Sequence, residues 1–181
     1  MQRSRFVFSG SGGQGVITAA IILAEAAVLH ENLNAVQTQV YGAEARGGST
    51  RSDVIISDSE IFFPKVTQPN VLVCLTQESY NKFSRILRPG GLLITDTRYV
   101  RTSRTVDAVQ KQLPMYESAL DKIGNPIVFN ICMLGAVTEL SKVVKLESLR
   151  KILEERVPPA FLEMNRRALD IGAELARKSE A

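Results

Sequence analysis

Four glycines fall within six positions, Gly10, Gly12, Gly13 and Gly15, with Gln14 between the last two; they follow the apolar run Phe6-Val7-Phe8. Gly10, Gly12 and Gly15 keep the spacing G-x-G-x-x-G, and an Ala/Ile/Leu-rich stretch begins at Val16. Such an order turns a chain tightly from a strand into a helix whose amide-rich N-terminus can face an anion. Gly10, Gly12, Gly13, Gln14 and Gly15 are therefore candidates for holding a phosphate. The same glycines also serve any doubly wound fold that needs a tight turn and no ligand.

A second cluster stands further on, in Tyr41-Gly42-Ala43-Glu44-Ala45-Arg46-Gly47-Gly48-Ser49 and Arg51. Arg46 and Arg51 can donate to a carboxylate or phosphate, and Gly47-Gly48 allows close backbone approach. Tyr41, Glu44, Arg46, Gly47, Gly48 and Ser49 form a candidate partner or ligand loop. An internal Glu44–Arg46 salt network that fixes the loop is the alternative.

The remaining chemistry is thin. A dinucleotide enzyme carries an acid at the end of its second strand to hold the ribose. Here that strand reads Asn34–Val40 and is followed by Tyr41, while Glu31 comes before it. The run Ile86-Leu-Arg-Pro-Gly-Gly-Leu-Leu-Ile94 imitates a turn and strand of methyltransferases that use S-adenosylmethionine, and it lacks their acid too. A helix-ending Pro-Gly turn that feeds a core strand explains it. His30, the one histidine, reads as a surface residue at a helix C-terminus. Cys74 and Cys132 both lie in apolar segments and read as buried small hydrophobes. Two isolated cysteines cannot supply a four-thiolate cluster or a structural zinc site. No Gly-x-Ser-x-Gly elbow, metal-ligand cluster or Gly-Asp-Gly thiamine signature is present. Arg98, Arg101 and Arg104 read as a solvated face, with an anion site as the alternative.

The elements that must position these residues follow from patterning. Arg5–Ser9 reads as a buried strand, Val16–Leu29 as a helix and Asn34–Val40 as a second strand. Thr50–Ser57 and Glu60–Pro64, separated by Asp58-Ser59, predict a hairpin, and hence a mixed sheet. Asn70–Thr76 and Leu92–Thr95 read as strands, and Glu78–Leu87 as a helix stopped by Arg88-Pro-Gly-Gly91. Val106–Leu113 and Tyr116–Ile123 read as short helices broken at Pro114. Ile127–Phe129 reads as a short strand, with Asn130 as the N-cap of a helix to Ser141. Leu146–Arg156 and a segment from Pro158-Pro159 to the charged tail complete the helices. Alternating strands and helices make an α/β fold, a three-layer α/β/α, Rossmann-like mixed sheet with one β-hairpin, expected as a single domain over 1–181. The chain has 45% apolar and 23% charged residues and a net charge of +3, ordinary for a soluble globular protein and too small an excess for nucleic-acid binding. It has no bilayer-length apolar run and no signal-peptide h-region, so no membrane partner and a cytoplasmic location are expected.

Together the residues resemble the gamma subunit of the 2-oxoacid:ferredoxin oxidoreductases. Phe8-Ser-Gly-Ser-Gly-Gly-Gln-Gly-Val16 is similar to that family's G-x-G-G-Q-G loop, and Tyr41–Ser49 to its Y-G-x-E-x-R-G-G segment. The likeness continues through Ser52-Asp-Val-Ile-Ile56, Pro89-Gly-Gly91, Asn130, Met133-Leu-Gly135 and the final helix with Asn165, Ala168 and Gly172. It implies a heteromeric enzyme that oxidatively decarboxylates a 2-oxoacid, passes the acyl group to coenzyme A and reduces ferredoxin. It also implies alpha, beta and ferredoxin-like delta partners that carry thiamine diphosphate, Mg and iron–sulfur clusters. This chain would be an accessory subunit that binds no cofactor tightly, has no catalytic residue or metal site of its own, and helps form the coenzyme A side. A gamma domain alone is most similar to the 2-oxoglutarate enzymes; the pyruvate and branched-chain enzymes stay open. Two other functions compete: a stand-alone nucleotide-dependent oxidoreductase or methyltransferase, and an interaction module whose glycine loop only packs on a partner.

Overall fold

The computed structural model describes residues 3–40 and 49–180. Its centre is a six-stranded sheet in the order β2-β3-β1-β4-β5-β6. The strands are β1 (Ser4–Ser11), β2 (Asn34–Val40), β3 (Ser49–Ser57), β4 (Val71–Cys74), β5 (Gly91–Asp96) and β6 (Ala108–Leu113). β3 runs antiparallel to both its neighbours, β1 and β2. β4, β5 and β6 follow β1 in parallel. The expected α/β/α mixed sheet is the observed one.

Side chains alternate along each strand, and each parity feeds a different core. Phe6, Phe8, Val54, Ile56, Val71, Val73 and Ile94 face one side. There they meet α1 (Val16–His30), α3 (Met115–Ile123), α4 (Phe129–Ser141), α5 (Leu146–Arg156) and α6 (Pro159–Lys178). Val7, Ile55, Leu72, Cys74 and Leu93 face the other side. That side is covered by the short α2 (Gln77–Phe83), with Leu87, Val66 and Val100 from its flanking connections. The two outer layers are thus unequal.

α4 and α6 cross almost backbone on backbone. A Cβ on Gly172 would stand 1.8 Å from the Cys132 carbonyl oxygen, and one on Gly135 2.1 Å from that of Leu169. Only glycine permits this approach.

Four sequence expectations are corrected. Glu60–Pro64 is not a strand; both edges of β3 are already paired, so no ladder is open to it. The antiparallel pair around Thr50–Ser57 is instead β2 with β3. Residues 108–113 form β6 and not a helix, because the open edge of β5 outweighs the weak helical preference of Gln and Lys. Leu113 precedes Pro114, which also favours extended backbone. Pro126–Val128 is a 3-10 turn whose cap is Asn125, accepting from the Ile127 amide at 3.0 Å. Asn130 consequently sits inside the first turn of α4 rather than capping it.

Candidate functional site

The glycine loop bridges the carboxyl end of β1 and the start of α1, and its residues divide into two groups. Gln14 works inward. Its Oε1 accepts from the Ser11 amide at 2.8 Å and its Nε2 donates to the Leu75 carbonyl at 3.3 Å. The loop is thereby tied to the end of β4. Gly10 lies against this brace: a Cβ there would meet Gln14 Oε1 at 2.5 Å and Leu75 Cβ at 3.2 Å. Gly15 is the left-handed N-cap of α1, at φ 71°, and a Cβ there would strike Asn130 at 2.5 Å. Asn130 donates to the Gly15 carbonyl at 3.4 Å.

Gly12 and Gly13 face outward. Both are exposed, and a Cβ on either would meet nothing within 4 Å. Gly13 has φ +86°, whereas Gly12 lies outside the left-handed region. Behind them α1 begins without a side-chain cap and without an acid in its first turn. The positive end of its dipole is left to whatever sits above the loop, which suits a phosphate or carboxylate.

The second candidate loop is anchored beside the first. Val40 pairs with Arg51, Ser49 with Ser11, and Thr50 with Gly10. The connection from β2 to β3 thus leaves and re-enters the sheet at the carboxyl edge of β1. Tyr41, Glu44, Arg46, Gly47 and Gly48 lie outside the described residues. Ser49 is buried and accepts from Lys82 Nζ at 3.3 Å. Arg51 does not offer its fork to a ligand: it donates to both carboxylate oxygens of Asp53, at 2.6 and 2.7 Å, and to the Val66 carbonyl at 2.9 Å. Its guanidinium also lies 5.4 Å from the centre of the Phe83 ring. Lys82 is the cation that the sequence did not single out. It lies 33 residues from Ser49, and no local pattern links them.

A groove of about 370 Å³ opens next to this edge, lined among others by Thr18, Ile22, Ile127, Asn130, Phe161 and Asn165. Ile127 is 73% exposed and Phe161 53%. Asn130 belongs both to the groove and to the Gly15 contact. The glycine loop therefore continues into an exposed apolar surface.

The other singled-out groups lie elsewhere. His30 ends α1, at the far end from the glycine loop, with Nε2 3.7 Å from Glu155. Cys74 and Cys132 belong to opposite cores and are fully buried, and burial pushes each thiol up to about 12. They are inert hydrophobes, as their segments indicated. Arg98 lies over the Tyr116 and Tyr99 rings, 4.9 and 5.9 Å from their centres, and half exposed, in keeping with a solvated face. Asp96 ends β5 fully buried, where it accepts from the Arg98 and Tyr116 amides at 2.9 and 2.8 Å. Burial holds its carboxyl above the usual range despite those bonds. Among the described residues, no group of three His, Cys, Asp or Glu side chains could hold a metal ion.

The profile of one protein family, pyruvate ferredoxin/flavodoxin oxidoreductase, matches residues 5–175. The chain belongs to that family. It is 44% identical to the 2-oxoglutarate synthase subunit KorC of Methanocaldococcus jannaschii, over 97% of this chain and 95% of that protein. The KorC subunit of Methanothermobacter marburgensis is 39% identical over 98% and 99%. A crystal structure of the keto/oxoacid ferredoxin oxidoreductase gamma subunit from Geobacter sulfurreducens superposes with a TM-score of 0.91. It is 40% identical and covers 99% of both chains. The resemblance read from the two loops is thus met across the whole fold, and the chain is a subunit of an oxoacid oxidoreductase complex. No helix among the described residues is long and apolar enough to cross a membrane.

Proposed function

We propose that this chain is the gamma subunit of a 2-oxoglutarate:ferredoxin oxidoreductase, acting as one gamma-type domain within a cytoplasmic complex. The complex oxidatively decarboxylates 2-oxoglutarate, transfers the acyl group to coenzyme A and passes two electrons to ferredoxin. The observation that carries this reading is full-length identity of 39–44% with 2-oxoglutarate synthase subunits.

The residues suit a division of labour. Thiolate ligands for a cluster do not fit this chain, because both thiols are buried and stay protonated at neutral pH. Thiamine diphosphate, Mg and the clusters are assigned to alpha, beta and delta partners. Coenzyme A does fit, because its phosphates match the uncapped start of α1 beneath Gly12 and Gly13. Gly10, Gln14 and Gly15 shape that loop from within. Tyr41, Glu44, Arg46, Gly47, Gly48 and Ser49 are assigned to the partner or ligand loop at the same edge. The groove beside Asn130, with Ile127 and Phe161 exposed, suits burial against a partner subunit.

Affinity purification of the tagged chain from its native cell tests this. The expected result is co-purification of thiamine- and cluster-bearing subunits, with ferredoxin reduction that depends on coenzyme A and is fastest with 2-oxoglutarate. Preference for pyruvate or 2-oxoisovalerate would reassign the substrate. Recovery of the chain without such partners would overturn the proposal.

A further inference from the structure

At the opposite edge of the sheet, the amino end of β1, three remote segments bring four cations together. Arg3 immediately precedes β1 and Arg5 lies at its start, Lys65 comes from the connection between β3 and β4, and Arg88 from the turn before β5. With Thr67 and Gln68 they line a pocket of about 310 Å³. No carboxylate is among the described residues that line it, and none of the four side chains makes an ion pair with a described residue.

The backbone beneath these cations is pinned. The Arg5 amide donates to Asn70 Oδ1 at 2.9 Å, and the Asn70 amide returns to the Arg5 carbonyl at 2.8 Å. The Arg88 amide donates to the Pro69 carbonyl at 3.2 Å, and Arg3 Nη2 to the Glu60 carbonyl at 3.0 Å. The fold thus holds together the segments that carry Arg3, Arg5 and Arg88, against the mutual repulsion of their charges, and Lys65 lines the same pocket. Relief comes from an anion that accepts from several of them at once. A monocarboxylate balances one cation of four, whereas linked phosphates balance most of them. The volume suits a small molecule and is too small for a helix of a partner.

We propose that this pocket is a second anion site, separate from the glycine loop, which takes a phosphate-bearing small molecule through Arg3, Arg5, Lys65 and Arg88. It does not depend on the assignment of the oxoacid.

The test is calorimetric titration of the full chain with inorganic pyrophosphate at low ionic strength. The expected result is saturable uptake whose component surviving Gly12→Asp fits one site and is weaker by about tenfold in each of Lys65→Gln and Arg88→Gln. Both are exposed connecting residues, and circular dichroism confirms that the variants fold. Gly12→Asp, which blocks the glycine loop, keeps this uptake, and so does Lys151→Gln, an exposed cation elsewhere. Absence of saturable uptake overturns the proposal. So does uptake lost in Gly12→Asp but kept in Lys65→Gln and Arg88→Gln, which would place the anion at the glycine loop. Equal weakening by Lys151→Gln would mean diffuse attraction and also overturn it.

Discussion

Replacing Gly12 with Asp separates what the glycine loop does for the fold from what it does for a ligand. The position has no positive φ to defend, and a side chain there enters open space. An acid just before the uncapped start of α1 is compatible with the helix dipole, so folding stability should stay within about 0.5 kcal/mol of the parent. The same carboxylate would stand in front of the amides assigned to the coenzyme A phosphates. Two unit charges about 5 Å apart repel by about 1–3 kcal/mol for effective dielectric constants between water and a protein surface. That corresponds to about a 5- to 150-fold rise in the apparent KM for coenzyme A in the assembled complex. The assay is ferredoxin or viologen reduction at saturating 2-oxoacid with coenzyme A varied, alongside urea unfolding of the chain and gel filtration of the complex. An unchanged KM in an intact complex would refute the phosphate assignment and leave the loop as packing only. Loss of assembly with normal KM in the residual complex would move Gly12 to the subunit interface.

Three further outcomes follow from the same structure. Gly172→Ala places a methyl group against the Cys132 carbonyl and forces α4 from α6, at about 3 kcal/mol or more and a Tm lower by about 6–12 °C; thermal unfolding by circular dichroism reads it. Glu31 caps α5 from the end of α1, accepting from the Lys145 amide at 2.9 Å and the Ser148 hydroxyl at 2.5 Å. Burial alone would raise its pKa, but these bonds and the nearby Lys145 and His30 charges hold it below the usual carboxylate range. Its contribution is therefore present above the unfolded pKa near 4.5 and lost as pH falls through the lower folded value. Glu31→Gln should cost about 1 kcal/mol at pH 7 and converge on the parent in acid, as urea unfolding across pH 3–7 will show. Cys74 and Cys132, with thiols near 12 in opposite cores, should resist alkylation at pH 8 until the chain is unfolded, which a thiol-reactive dye will measure.

The sequence was most legible where one local signal settles one element. The buried run at Phe6-Val7-Phe8, the glycine break and the apolar periodicity after Val16 place β1, the turn and α1 within a residue or two. The bounds of β2 and α5 are the observed ones. What escaped was decided by partners distant in the chain. β6 is a strand because β5 has an open edge, and residues 60–64 are not one because β3 has none. At the candidate site, the glycine spacing showed the loop but not its division of roles. Gln14 turns inward because the Leu75 carbonyl waits 61 residues away, and Arg51 spends its Nε and Nη2 donors on Asp53 and Val66 rather than on a ligand. Asn130 looked like a helix cap and instead braces Gly15 across 115 residues. Glu31, read only as too early for a ribose acid, caps a helix 114 residues on.

Reconstitution with and without this chain bears most directly on the central claim that it is an indispensable yet catalytically incomplete subunit. Partner subunits loaded with thiamine diphosphate and clusters should reduce ferredoxin from 2-oxoglutarate and coenzyme A only when this chain is added, and the chain alone should show no turnover. Full activity of the partners without it, or oxoacid oxidation by the pure chain, would contradict the account.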